Sequence, residues 1–267
     1  MRQFYKPYRM SRILTQGSII NNCIAENYST NLVIYGLIIT PRCDLAHDGK
    51  VNSVHYLPIV DFDDWFCCDG ISYLWNKWTV KNKEKFIQMC NEYKVPSGLQ
   101  DYLLYEKIAE KVIVDKSKRL SFINKAKLLF NDDVKKRDFE NHYHKSDTQK
   151  RLIDNLIKDD LPAYYLIDDW ENCRGRPKVV LLRDLKRISY ETSQKICKGM
   201  NVSELNKTYD ELKYTSDYDV LYQVCTEVNS PFIEHILQRF SHNFCRIGVD
   251  DRDSTTAVLL SERLKDI

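Results

Sequence analysis

The sequence predicts an α+β fold in which strands near both ends of the chain flank a long helical block. Three observations predict it. Residues 32–40 and 51–60 are apolar, β-branched runs of strand length. Residues 81–158 carry apolar side chains at three- and four-residue spacing, the helical period. Strand-like sequence returns after Pro162, and residues 231–240 then read as one amphipathic helix.

Residues 17–25 read as a first strand after a glycine turn, and residues 26–31 as a polar loop. The run 32–40 is nearly continuous, the pattern of a strand buried on both faces, and Pro41 bounds it. Residues 51–60 alternate in part and are rich in Val, Tyr and Ile, which gives a third strand. The chain between these two strands passes through His47-Asp48-Gly49-Lys50, an Asp-Gly turn signal.

In the helical block Phe86, Met89, Cys90 and Tyr93 form one stripe. Tyr102, Tyr105, Ile108, Ala109 and Val112 form a second, and Ile153, Leu156 and Ile157 begin a third. Pro96-Ser97-Gly98 separates the first two helices. Beyond Pro162, residues 163–167 form a short strand and residues 177–189 a bent or bulged one, with apolar halves at 179–182 and at Leu185/Ile188. Residues 197–219 read as a helix and a loop. Pro231 opens the last helix, whose apolar face is Phe232, Ile233, Ile236, Leu237 and Phe240.

A chain of 267 residues can bury a core without disulfide or metal staples. Only 8 Gly and 7 Pro interrupt it, which favours long ordered elements over disorder. The net charge of +2 means the chain as a whole is not a polyanion binder. Any nucleic-acid surface must come from local segregation of charge. No run of about 18 apolar residues is present, so no membrane span is expected. The 9 cysteines are odd in number, lack any CxxC spacing and follow no apolar leader. They read as reduced thiols in a cytoplasmic protein, mostly small core residues.

Gly17-Ser18-Ile19-Ile20, then residues 33–40, then residues 54–60 with Pro58 resemble the strands of the MazF/PemK toxin barrel. The segment Val179-Val180-Leu181-Leu182-Arg183-Asp184-Leu185-Lys186-Arg187-Ile188-Ser189 resembles that family's Asp-Gln-Ile-Arg-Ser strand, and the last helix fits its closing helix. The resemblance covers about 80 residues, at 17–60 and 178–240. It implies a small SH3-like barrel at residues 1–75 and 160–267, interrupted by a helical insertion at 76–159. Active members of the family are endoribonucleases that usually pair into dimers. Their catalytic Arg sits in the loop after the first strand; here residues 26–31 contain no Arg. The hydroxyl that follows Pro-Ile in the family is replaced by Val60. Ile38-Ile39-Thr40-Pro41-Arg42-Cys43-Asp44-Leu45 also resembles a strand end, Val-Ile-Ser-x-x-Cys-Asp-Leu, of uncharacterised bacterial proteins associated with phage defence.

The candidate chemistry starts at that strand end. Cys43, Asp44 and His47 include a thiol, a carboxylate and an imidazole within five residues. They can act as a catalytic set, with Cys43 as nucleophile beside Arg42 or His47. They can also ligate zinc, provided His55, Cys67, Cys68 or Asp69 completes the set; the sequence does not favour that metal. The plain alternative is a cysteine packed at a strand end with Asp44 capping a turn. His142 and His144 would chelate on a strand but diverge on a helix. Asp61, Asp63, Asp64 and Asp69 form an acidic run able to hold Mg²⁺, or else a polar loop, and Asp168, Asp169 and Glu171 form a similar one. Arg174-Gly175-Arg176-Pro177 reads as a basic turn and Gly248 as a helix cap.

Residues 107–151 hold 13 Lys/Arg against 7 Asp/Glu. Within that stretch Lys118, Arg119, Lys125, Lys127, Lys135, Lys136 and Arg137 are the candidate phosphate contacts; the alternative is a solvated helix face. Phe122, Phe130, Phe139 and Tyr143 among them read as core. Two functions follow. The favoured one is a non-catalytic or regulatory subunit of a bacterial anti-phage or toxin-type complex, with a protein partner and nucleic acid as a further contact. The other is a toxin-like endoribonuclease or nuclease with a rearranged active site.

Overall fold

The computed structural model describes residues 4–5, 13–47, 50–167, 176–205, 207–214 and 220–245. In chain order they form β1 (Ser18–Ile20), β2 (Tyr35–Ile38), α1 (Arg42–Leu45), β3 (Ser53–Asp61), α2 (Phe62–Trp65), a π-helical turn (Phe66–Gly70) and α3 (Ile71–Glu92). The helices α4 (Tyr102–Val112), α5 (Lys116–Phe130), α6 (Asp132–Tyr143) and α7 (Ser146–Ile157) follow. Next come β4 (Tyr164–Ile167), β5 (Lys178–Leu181), β6 (Lys186–Ser189) and α8 (Tyr190–Ile196). The remainder is β7 (Met200–Asn201), a 3₁₀ turn (Val202–Glu204), β8 (Leu221–Tyr222), β9 (Val224–Glu227) and α9 (Phe232–Cys245).

The fold is α+β around an antiparallel sheet ordered β4-β5-β3-β2-β1-β9, with β6 also paired to β3. The nine-residue β3 is its spine. Residues 178–189 lie along one side of β3 as a bulged strand: Tyr56 pairs with Lys186 and Ile59 with Val180, so three steps on β3 face six on its neighbour. The excess is looped out at residues 182–185, which span the junction of the two apolar halves seen in the sequence. The sheet is open. β4 and β9 are its two ends, and among the described residues no pairing joins them into a barrel.

Side chains alternate across the pleat and bury both faces. From β3, Val54, Tyr56 and Val60 enter a core with Trp65, Leu74, Trp78, Leu152 and Leu156. Leu57 and Ile59 point the other way, against Ile233 and Ile236 of α9. The partly buried Phe232, Leu237 and Phe240 complete the α9 face read from the sequence. A third core lies within the helical block, where Phe86, Cys90, Tyr105, Ala109, Phe122 and Ala126 pack together. Helix α3 contributes Leu74 and Trp78 to the sheet core and Phe86 and Cys90 to the helical one.

Several local expectations change. Helix begins at Phe62, not near Lys81, because the π turn at Phe66–Gly70 shifts the phase of the apolar repeat. The acidic run is therefore not a loop. The buried pair of α7 is Leu152 and Leu156, while Ile157 is exposed. The late helix is α8, ahead of residue 197: the Ser189 hydroxyl accepts from the Thr192 N–H and starts it, and Gly199, at φ +84°, follows its end. The β2–β3 connection contains α1 and so is not a two-residue hairpin; Asp48 and Gly49 lie outside the described residues. So do Asp168, Asp169, Glu171, Arg174, Gly175 and Gly248. Of seven described free cysteines Cys23 and Cys90 are buried, Cys68 and Cys197 pack partly buried against the core, Cys225 is intermediate, and Cys43 and Cys67 are exposed.

Candidate nucleic-acid interface

Pro41 ends the extended run after β2, and the chain turns once as α1. That turn presents Cys43 and His47 to solvent and leaves Asp44 half-buried. The Cys43 Sγ lies 3.5 Å from Asp44 Oδ1, and Asp44 is paired with Lys50 at 2.5 Å. Hydrogen bonding to Lys50 holds the Asp44 carboxyl below its ordinary value, and Asp44 in turn raises Lys50. The cation beside the thiol is thus Lys50, already engaged by a carboxylate. Neither Arg42 nor His47 hydrogen-bonds Cys43 among the described residues. Asp44 and His55 share an open groove of about 630 Å³, whose far side is formed by Leu185 and Phe240.

Among the described residues no group of three or more His, Cys, Asp and Glu side chains is placed to hold a metal ion. His55, Cys67, Cys68 and Asp69 therefore do not complete a zinc set around Cys43. The acidic run is dispersed. Asp61 pairs with Lys178, and Asp69 accepts a hydrogen bond from the Tyr28 hydroxyl at 3.0 Å. Burial raises the Asp69 carboxyl. His142 is on α6 and His144 caps it, a helical arrangement in which the two rings diverge.

The basic residues read from the sequence divide into two groups. Lys125 donates to Asn82 Oδ1 at 2.5 Å, Lys127 lies 3.7 Å from Glu106, and Lys135 sits over the Trp75 ring at 5.0 Å. These three are used inside the helical block. Lys118, Lys136 and Arg137 face solvent, and Arg119 reaches back to the Val114 carbonyl at 3.5 Å. Phe122 and Phe139 are core, as read, with Phe130 and Tyr143 partly buried beside them.

A second cationic surface escapes the sequence reading. Lys77, Lys81 and Lys85 project from one face of α3 along a groove of about 270 Å³. Arg151, Thr148 and Asn155 of α7 form the opposite wall, and His142 closes it from α6. Leu74, Trp78 and Leu152 form its apolar floor, because the same turns of α3 and α7 supply the sheet core. The Lys77 ammonium lies 5.6 Å from the centre of the Tyr73 ring. Among the described residues no carboxylate pairs with Lys77, Lys81, Lys85 or Arg151. The local field is felt by neighbours. Burial, then Lys85 and Lys81, lower Lys125, while burial, then Lys145 and Lys81, lower His142.

These residues are separated by about seventy positions in the chain. The signal in the sequence is only Lys at 77, 81 and 85, four apart, which matches any solvated helix face.

The chain matches no protein family model, no curated protein and no solved structure. Among the described residues no helix is long and apolar enough to cross a membrane.

Proposed function

We propose that this protein is a non-catalytic subunit that contacts nucleic acid and works with a protein partner, in a cytoplasmic toxin-type or anti-phage assembly. The observation that carries the reading is the group Lys77, Lys81, Lys85 and Arg151. Four cations converge on one groove without a carboxylate partner among the described residues. Phosphate is the ligand chemistry that compensates such a surface. A chain of near-neutral net charge that segregates its cations in this way gains a local electrostatic footprint.

The toxin-type context rests on the strand resemblance. β1, β2 and β3 are consecutive antiparallel neighbours, the order a MazF/PemK-like SH3 barrel would need for its first three strands. The non-catalytic assignment is supported by Cys43, whose neighbouring cation Lys50 is tied to Asp44.

The test is incubation of the purified full chain with labelled RNA and DNA at low salt. Retention without cleavage is the expected result. Cleavage that Cys43→Ala or Asp44→Ala removes would establish the endoribonuclease alternative instead. Absence of any retention at low salt, where phosphate contacts are strongest, would remove the nucleic-acid reading.

A further inference from the structure

Resting on the nucleic-acid reading, we infer that the groove between α3 and α7 holds the phosphates of one single strand, in the direction of the α3 axis. The first argument is spacing. Residues four apart on a helix rise about 6 Å, the order of the distance between successive phosphates of an extended strand. Lys77, Lys81 and Lys85 therefore offer one ammonium per phosphate over three nucleotides. They stay on one helix face because four residues only slightly exceed the 3.6 of a full turn.

The second argument is the opposite wall. Arg151 supplies the planar fork suited to bidentate phosphate contact. Thr148 and Asn155 on the same helix add hydroxyl and amide groups that can meet sugar and base edges. Tyr73, half-buried at the end of the groove, leaves an aromatic ring within reach of a base beside Lys77. The third argument is size. The groove, about 270 Å³ between the opposed walls of α3 and α7, takes the backbone groups of one strand along its lysines, whereas a duplex would meet only its lysine rim.

The experiment is fluorescence anisotropy of the full chain with a labelled 12-nucleotide oligo-U, a 12-nucleotide oligo-dT and a 12-base-pair duplex, at 50 and 200 mM salt. The expected result is tighter binding of the single strands. Lys77→Ala/Lys81→Ala/Lys85→Ala should weaken it at least tenfold and reduce the salt slope by about 2, three contacts at roughly 0.7 each. Lys83→Ala, on the same helix but away from the groove, should change affinity less than twofold. Thermal melting of each variant separates lost binding from lost folding, and Arg151→Lys, which keeps the charge but not the fork, gives a second reading of the same wall. Wild-type affinity in the lysine triple variant, with binding lost in Lys118→Ala/Lys136→Ala/Arg137→Ala, would overturn the groove and leave the nucleic-acid reading standing. Preference for the duplex would overturn the single-strand inference. Failure of the wild-type chain to bind any probe at 50 mM salt would remove both.

Discussion

The ring of Tyr56 occupies the space into which a side chain on Gly36 would project. A Cβ at position 36 would fall 2.7 Å from Tyr56 Cδ2 and 2.6 Å from Cys23 Sγ. Tyr56 is fully buried, and its hydroxyl donates to the Glu211 carbonyl and accepts from the Ile24 N–H at 3.3 Å. The glycine therefore lets one tyrosine cross beneath β2 and fasten two loops to the sheet.

Gly36→Ala is expected to destabilise the fold by about 1–3 kcal/mol, the usual cost of overpacking. Gly98, with nothing within 4 Å of an added Cβ, is the control and should tolerate Ala with little change. Urea unfolding of both variants measures the difference. Equal stability of the two would show that the Tyr56 ring shifts freely.

Lys178 is buried on β5 and paired across the strand with the partly exposed Asp61. Its ammonium also lies 5.4 Å from the centre of the Tyr35 ring. Asp61→Asn takes the ion-pair partner from a buried ammonium and is expected to destabilise the fold, by about 3 kcal/mol at most. Lys178→Met, which removes that charge and keeps the stem, should cost less. Denaturant unfolding of the two single variants and the double variant measures the coupling. A double variant as unstable as the sum of the singles would mean that the pair contributes nothing of its own.

His142 provides the pH dependence. Its charged surroundings are Lys81 on α3, Lys145 just after α6, Arg151 on α7 and, opposing them, Asp138 on α6. Burial and the two lysines hold the imidazole below its ordinary value near 6.5. A lowered pKa means the unfolded chain takes the proton more readily. The stability contribution is then present above the unfolded value and lost as pH falls through the folded one. Under the proposed nucleic-acid reading, affinity is expected to move in the opposite direction, because the protonated ring adds a cation to the groove. Affinity for oligo-U should rise a few-fold between pH 7.5 and 5.5, and His142→Gln should flatten the profile. An unchanged profile in that variant would assign the dependence to another group.

The thiols give a check on the Cys43 surface. Cys43 and Cys67 are exposed, whereas Cys23 and Cys90 are buried, and burial raises both buried thiols further. Under native conditions an aromatic disulfide reagent should label Cys43 and Cys67 first, and Cys23 and Cys90 only in denaturant. Peptide mapping after timed quenching distinguishes them. Early labelling of Cys90 would mean that the helical core opens more readily than its packing suggests.

What could be read from the chain follows from where its physics is local. The alternation of Val54, Tyr56 and Val60 against Leu57 and Ile59 fixes which side of β3 faces which core, and neighbouring residues suffice to see it. The face of α9 and the bulge in residues 178–189 are visible for the same reason. The start of the helical block is not. Phe66–Gly70 breaks the 3.6-residue period, and Cys67-Cys68-Asp69-Gly70 looks like a turn until Gly70 is seen packed beside Phe66 and Leu152. The open sheet edge and the groove are tertiary facts. Arg151 meets the α3 lysines only because Leu152 and Leu156 dock α7 into the core that Leu74 and Trp78 of α3 also enter. Lys125, Lys127 and Lys135 carry the same charge in the sequence but are already occupied within the block.

Helices α3 and α7 are also the two that carry the chain out of the sheet and back to it. They form a stem, and the segments from α4 to α6 are a crown mounted on that stem. Lys77, Lys81 and Lys85, which pair with no carboxylate among the described residues, stand at the root of the crown rather than on its outer surface. A strand lying between the two stem helices would therefore act as a clamp on the joint, so that occupancy and the posture of the crown become one variable. Length changes in α4 could then accumulate without disturbing the clamp, whereas α6 is tied to both by His142 in the groove and Phe139 in the sheet core.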